Sequence, residues 1–558
     1  MSAIDERPSV VRRASKPEPY LPEPPGRNEK FLYYGAQSRG VFAFSVASFL
    51  GVAYGLVQLA LNNWWTAGLF LVVGFLTVTV GVSIVSSTRR RRSNIDQHRE
   101  KVAGWRPPDD PPTVDVFIMT AGEPMHVLRN TIMHAAGLDW PADRLTVYVC
   151  DDSGRGSVRW LAERYHAVYL CRPDRGRMKK AGNLKHAFEH STGDFIHVFD
   201  ADFAPRPDMT REMMPYFDDP ATGIVQTPQY FDVTDPRFNW LQRAAAATQE
   251  LFYRWIQPAR DGVDAAICVG TNALYRREAL QKGGGFAQIG HSEDVWTGVR
   301  MKLAGYVTRY VPVILAKGMC PDNLDGFANQ QYRWCTGSMS LLSDREFHRT
   351  RALSRRQKLC FWTGFLYYIA TAVTTFTGPV PLLLMVWWFP EQIRPMNYFS
   401  LAGTLLVWLV VMPLLTDGRW TPVVLRVQAL IGFCHAVAIW DALRGRTAGW
   451  VATGAARHTP TARRVLRLVR WWVLPTQLAV WAGIGWGLAG HDWRDYWITV
   501  LFALPAAWFL LPLTLGRYAL PVADPDPDPE PADRTVVTSA QEVLAAARRA
   551  RNAARVTV

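Results

Sequence analysis

Phe195-Ile-His-Val-Phe199-Asp200-Ala-Asp202 decides the reading of this chain: a run of strand length that stops at two carboxylates spaced i, i+2. Two earlier runs have the same form. Val114 to Met119 ends in Thr120-Ala-Gly-Glu123-Pro, and Leu145 to Cys150 ends in Asp151-Asp152-Ser-Gly. Helical patterns from Met125 to Gly137 and from Ser157 to Tyr165 separate runs that read as buried strands. Alternating strand and helix predicts an α/β domain with a mainly parallel sheet and helices on both faces. Ligands of such sheets sit at the carboxyl ends of strands, so the three polar motifs are expected to converge on one crevice.

No Gly-x-Gly-x-x-Gly fingerprint follows these strand runs and the chain has no phosphate-loop Gly-Lys-Ser/Thr, which argues against a dinucleotide fold or an ATPase. In extended chain, Asp200 and Asp202 project from one face and can reach a single hard divalent cation or its waters. Such an ion would neutralise a diphosphate leaving group. His291-Ser292-Glu293-Asp294 precedes the helical pattern Val295 to Ala304. Ser292 with acids in the first turn suits a helix start, and the same placement would hold an ionised Asp294 at the crevice as a general base. In Gln330-Gln-Tyr-Arg333-Trp334, helical spacing puts Gln330, Arg333 and Trp334 on one face. Arg333 can grip a diphosphate bidentately and Trp334 can stack on a sugar ring; a core Trp beside a surface Arg is the alternative.

Around this domain the chain is apolar. No charged residue occurs from Val41 to Thr88, from Phe361 to Pro390 or from Met396 to Thr416, which excludes a simple soluble globule. A membrane span needs about 20 apolar residues. Val41 to Leu61 and Ala67 to Ser86 are expected as a hairpin turning at Asn62-Asn63-Trp64-Trp65, followed by Arg89 to Arg92. Four further spans are expected at Phe361 to Pro390, whose beginning can lie along the surface, Phe399 to Thr416, Trp471 to Leu488 and Tyr496 to Leu515. Val423 to Leu443 is apolar enough to cross but carries Arg426, His435 and Asp441, and crossing would put seven arginines between Arg444 and Arg470 outside. It is therefore expected on the cytoplasmic surface, leaving six spans with both termini and the catalytic region inside. Trp64, Trp65, Trp387 and Trp388 are expected at the interface, and Trp481 and Trp486 in helix packing or facing a channel.

The formal charge of +14, from 62 Lys+Arg and 48 Asp+Glu, then reads as membrane orientation rather than as nucleic-acid binding. Seven cysteines without a Cys-x-x-Cys pair indicate neither a disulfide framework nor a zinc site. The expected organisation is a flexible cytoplasmic tail at 1–40, two spans in 41–88, a catalytic domain at 110–345, interface helices and four spans in 346–515, and a flexible tail at 516–558.

Asp151-Asp152, Lys180-Ala-Gly-Asn183, Asp200-Ala-Asp202, Thr227-Pro-Gln229-Tyr-Phe, Gly270-Thr-Asn272-Ala, Ser292-Glu-Asp294 and Gln330-Gln-Tyr-Arg333-Trp334, in this order, resemble the processive family 2 glycosyltransferases: cellulose synthases and the related hyaluronan and chitin synthases. The resemblance covers roughly 114–342. It implies a GT-A-type fold holding a UDP-sugar, with Thr120, Glu123, Asp151 and Asp152 near the uridine and Lys180 and Arg333 near the phosphates. It further implies Mg2+ or Mn2+ on Asp200 and Asp202, and Asp294 as the base that deprotonates the acceptor hydroxyl in an inverting transfer. Gln330, Trp334 and Glu293 would meet the growing polysaccharide, which the spans would conduct across a plasma or inner membrane. A gating loop is implied at Gly449-Trp450-Val-Ala-Thr453-Gly454, where the Phe-x-Val-Thr-x-Lys pattern of cellulose synthases is not kept. Ser292 for Thr and Gly122 for Asn are further departures.

UDP-glucose is the favoured donor. Hyaluronan-, chitin- or β-1,3-glucan-type synthesis and non-processive transfer to a lipid phosphate remain alternatives. The residues after Leu515 are too few for a cyclic-di-GMP-binding barrel, and the need for an accessory subunit stays open.

Overall fold

The computed structural model describes residues 20–34, 38–88, 91, 94–233, 235–447 and 459–516. Ten strands are seen among them: β1 Val114–Thr120, β2 Leu145–Asp151, β3 Val168–Leu170, β4 Phe195–Asp200, β5 Ala204–Pro205, β6 Thr222–Gln226, β7 Tyr230–Phe231, β8 Ala273–Arg276, β9 Val307–Tyr310 and β10 Ala316–Gly318. Seven form one sheet in the order β3-β2-β1-β4-β8-β6-β9, and a small second sheet has the order β5-β10-β7. All residues of β1 are buried, as a strand covered on both faces requires.

Register carries the sequence motifs together. β1 lies parallel to both β2 and β4, with Thr120 opposite Asp151 and Met119 opposite Asp200. The residues that end these strands therefore share one edge. β8 runs antiparallel to β4, with Ala273 opposite Val198, so Gly270-Thr271-Asn272 return over the same edge. Gly270 and Asn272 take up left-handed backbone there (φ 76° and 54°), which these two residue types tolerate best. The helices Met125–Ala136, Gly156–Arg164, Lys179–Glu189 and Glu293–Leu303 pack around this framework, and Leu324–Leu342 carries the Gln-Tyr-Arg-Trp face.

The apolar hairpin consists of helices Ser38–Leu61 and Leu69–Ser87, joined through the 3-10 turn Trp64–Gly68. Trp64 is 86% exposed, and Trp65 stacks on Phe389 at 5.7 Å between ring centroids. Arg91 donates to Asp261 (2.7 Å), tying the hairpin's second end to the α/β part. The expectation of a flexible tail through residue 40 does not hold for residues 20–34. Lys30 pairs with Glu212 (2.6 Å), the Tyr33 hydroxyl donates to the buried Glu250 (3.0 Å), and Tyr20 donates to Asp232. Proline enrichment reads as disorder in sequence, but here it accompanies a strap held by buried charges and aromatic rings.

Among the described residues, six helical segments are long and apolar enough to cross a membrane: Ala43–Leu61, Trp64–Ser87, Arg355–Trp388, Pro395–Leu415, Val424–Leu443 and Trp493–Leu515. The number agrees with expectation and the membership differs. Val424–Leu443 takes the place of 471–488, whose Trp, Gly and Gln content lowers its hydropathy and which lies within the 31-residue helix Pro460–Gly490. Apolarity alone does not separate lipid-facing from protein-facing helices. Val424–Leu443 is 67% buried within the protein, against 6–17% for the other five. The three residues that weighed against its crossing are engaged within the protein: Arg426 donates to the Trp508 carbonyl (2.8 Å), His435 meets Thr371 Oγ1 (2.6 Å), and Asp441 accepts from Arg464 and Tyr332.

Candidate active site

Lys180 is the centre of the charged cluster at the sheet edge. Its ammonium donates to Asp200 Oδ1 and to the Gly270 carbonyl (2.8 Å), bridging β4 and the turn into β8. Local backbone aims it there: Met178 and Lys179 both have φ 52°, turning the chain sharply into helix Lys179–Glu189. Asn183 anchors that helix by donating to the Cys150 carbonyl (2.8 Å) of β2. Gly182 sits where a β-carbon would lie 2.3 Å from both the Arg172 guanidinium and the Arg177 carbonyl. The Lys-Ala-Gly-Asn spacing thus encodes a cation, a close approach and an anchor. Burial opposes the charge on Lys180, but Asp200, Glu293 and Asp294 outweigh it and hold the ammonium above its ordinary value.

Asp202 stands two residues beyond Asp200. Burial, then repulsion from Asp200 and Glu123, pushes its carboxyl up to about 8. A hard dication relieves this kind of crowding, and two carboxylates supply part of its oxygen shell. Among the described residues no group of three or more His, Cys, Asp or Glu side chains is arranged to hold a metal. The donor set thus fits an ion that takes its remaining ligands from phosphate and water.

Asp294 faces the same cluster from the other side. A β-carbon on Gly270 would lie 3.0 Å from Asp294 Oδ2, so the turn into β8 and the first turn of helix Glu293–Leu303 are in contact. Burial, with Glu293 beside it, pushes Asp294 up to about 7. Ser292 does not cap the helix by a side-chain hydrogen bond and is itself left-handed (φ 54°). It presses against Gly337 of helix Leu324–Leu342, where a β-carbon would come 1.9 Å from Ser292 Oγ. That contact fixes the Ser-Glu-Asp turn against the helix bearing Gln330, Arg333 and Trp334. These three are half-buried, whereas Gln331, Tyr332 and Cys335 are buried, so the predicted shared face is the one turned away from the packed core. Burial pulls the Arg333 guanidinium below its ordinary value, and Asp200, Glu293, Asp294 and Glu123 pull it back up. Arg333 and Lys180 therefore address one acidic cluster.

Of the remaining predicted residues, Asp152 lines a cleft of about 630 Å³ together with Ser153, Pro173 and the Asp174–Arg177 loop. Asp152 is held by Arg172 through both carboxylate oxygens (2.6 and 2.9 Å). Asp151 is fully buried, accepting from the Ser153 and Arg155 amides (2.9 and 2.7 Å) and the Tyr169 hydroxyl (3.1 Å). Its contacts shape the loop from within. Glu123 accepts from Thr120 Oγ1 and the Ala121 amide, both at 2.7 Å. Trp450 and Thr453 lie outside the described residues. Arg172 and Gly337 escape sequence reasoning. A lone Arg or Gly carries no chemical signature until its partner across the fold is known. Thr227 and Gln229 support the turn into β8: Thr227 Oγ1 donates to the Asn272 carbonyl (3.0 Å), and Gln229 accepts from Tyr253 (2.9 Å).

Residues 111–337 match the family model described as glycosyltransferase-like family 2. Over 282 residues, half of this chain, the sequence is 34% identical to the UDP-forming cellulose synthase 1 catalytic subunit of Komagataeibacter xylinus, covering 37% of that protein. It is 32% identical over 282 residues to the UDP-forming cellulose synthase catalytic subunit of Pseudomonas fluorescens, covering 38% of it. The matched region thus spans little more than a third of the length of these relatives. A mannosyltransferase from Pyrobaculum calidifontis, solved in complex with GDP-Man and Mn2+, aligns with a TM-score of 0.46 at 17% identity over 67% of this chain and 98% of that one. The α/β domain at residues 111–337 is a family 2 glycosyltransferase domain, and half of the chain is similar in sequence to bacterial cellulose synthase catalytic subunits.

Proposed function

We propose that the chain transfers glucose from UDP-glucose to the end of a growing β-glucan and conducts the product through its own helices. The observation that carries this reading is the meeting of Asp294, Lys180, Asp200 and Arg333 at one sheet edge, beneath the helix face that presents Trp334. Asp294, held near neutrality, accepts the proton of the acceptor hydroxyl. The freed oxygen bonds to the anomeric carbon while the bond from that carbon to the diphosphate oxygen breaks, and UDP leaves with the electron pair. Attack from the face opposite UDP turns an α-linked donor into a β-linked product.

Asp200 and Asp202 would hold Mg2+ or Mn2+, which when bound neutralises the diphosphate as it departs. Lys180 and Arg333 supply fixed positive charge on the same leaving group, and a preorganised cation in a low-dielectric site acts without reorganisation. Asp152 and the Arg172–Arg177 loop border the nucleotide. Asp151, Thr120 and Glu123 hold the shape of that border. Trp334 and Gln330 seat the terminal sugar, and Glu293 sets the charge felt by Asp294.

The domain division is read as catalytic at 110–345 and membrane-embedded at 41–88 and 346–515, with the catalytic side cytoplasmic and the Val424–Leu443 helix at the interface. A polysaccharide is too polar to cross lipid, so a synthase gains from threading its product between its own helices. Incubating membranes with a panel of labelled UDP-sugars and Mn2+ tests the reading. Label in polymer sensitive to a β-1,4-glucanase supports it. Chloroform-soluble label, or release of UDP only from UDP-N-acetylglucosamine, replaces it.

A further inference from the structure

Helix Pro460–Gly490 carries a stripe that the catalytic reading does not use. Arg463, Arg467, Arg470, Trp471, Leu474 and Leu478 fall within a single arc at helical spacing, and all of them are exposed. Along the stripe the chemistry changes once, from three cations to an indole 75% exposed and then to leucines 48% and 73% exposed. Trp471 and Trp486, the latter 70% exposed, stand about 22 Å apart along the helix axis. That distance lies within the depth of a hydrocarbon layer of about 30 Å.

The basic end of the helix is fixed to the α/β part. Thr459 at its N-cap donates its amide to Asp325 Oδ1 (2.6 Å), and Arg464, on the inner face, pairs with Asp441 through both nitrogens (2.6 and 2.7 Å). The same ion pair brings up the end of helix Val424–Leu443, where Arg444 lies over the half-exposed Trp440 ring at 4.1 Å. Arg470 is tethered to the Thr514 carbonyl (2.8 Å). The side chains of Arg463 and Arg467 have no ion pair or hydrogen bond with any described residue.

We infer that this stripe is a binding site for the phosphate headgroup of an anionic phospholipid, with Arg463 and Arg467 on the phosphate, Trp471 at the ester level, and Leu474 and Leu478 along the acyl chains. Charge complementarity and continuity with the apolar stripe favour a lipid over a soluble anion: a free phosphate or an acidic protein would use the arginines but leave the row of Trp and Leu unexplained. The inference is independent of the sugar transferred.

The test uses the purified full chain in mixed micelles containing equal phosphatidylglycerol and phosphatidylcholine, with retained lipid read by native mass spectrometry. Each arginine near an anionic surface contributes about fivefold in affinity, so R463Q/R467Q is expected to lose about 25-fold of the preference for phosphatidylglycerol. R463K/R467K should keep most of it. Neither inorganic phosphate nor polyglutamate should displace the lipid. Equal preference in the parent and R463Q/R467Q overturns the site, and displacement by phosphate or polyglutamate overturns the lipid assignment. Should the glutamine variant not survive purification, 0.5 M NaCl on the parent decides. A preference unchanged by that screening contradicts an electrostatic headgroup site.

Discussion

Gly337→Ala is the substitution whose effect the structure fixes most narrowly. A β-carbon at position 337 would stand 2.3 Å from Ser292 Cβ and 3.4 Å from its Cα. Rotating the serine hydroxyl relieves the contact to Oγ but cannot move Cβ. Restoring an ordinary carbon–carbon contact of about 3.5 Å requires the Ser-Glu-Asp turn and the helix to separate by about 1.2 Å. Asp294 is two residues from the point of contact, and a displacement of about 1 Å at a reacting group costs on the order of 100-fold in rate. Turnover is thus expected to fall about 100-fold, equivalent to about 2.7 kcal/mol in the barrier. The affinity for UDP, measured by calorimetry, should stay within about threefold, because the cleft beside Asp152 does not touch this contact. S292G/G337A removes the serine Cβ and Oγ that the new methyl would strike and places glycine where φ is +54°, so it should recover most of the loss. G337A with turnover close to the parent, or a double variant no better than the single one, would refute this reasoning.

Two further outcomes concern charge. As the proposed base, Asp294 would work only when ionised, and burial beside Glu293 raises its carboxyl to about 7, so kcat/KM should rise with pH through about 7. Glu293→Gln removes the neighbouring repulsion and should move that limb to lower pH; an unmoved limb separates Asp294 from the titration. Asp202 is raised to about 8, so between its ordinary value of 3.8 and 8 the folded protein binds the extra proton, and its ionisation lowers stability as pH rises through 8. Mn2+ favours the ionised form. The rise in Tm on adding Mn2+ with UDP should grow between pH 6 and pH 9 and vanish in Asp202→Asn.

Much of the site was legible because its chemistry sits at the ends of long buried strands. Asp200, Asp151 and Thr120 end β4, β2 and β1, and the parallel register then places them on one edge without further information. Asp294 and Arg333 were legible by type and spacing. Other elements had no local signal. β8 has four residues, and the strands of the small sheet have two or three, too short for a period to show. The burial of Asp151 depends on Tyr169, from a strand that pairs beside it. The strap at 20–34 gains its order from Glu212, Asp232 and Glu250, some 180 to 220 positions away, and no local composition reports that. Val424–Leu443 and helix Pro460–Gly490 show the same limit, since apolar side chains read alike whether protein or lipid covers them.

The central claim is that Asp294 takes the acceptor proton in transfer from UDP-glucose. It is tested most directly by comparing the parent with Asp294→Asn in membranes supplied with labelled UDP-glucose and Mn2+, following polymer formation, UDP release and UDP affinity together. Loss of a general base predicts that polymer and UDP release fall together by about 10²- to 10⁴-fold while UDP binds as before. Polymer formation by D294N at the parent's rate would contradict the account.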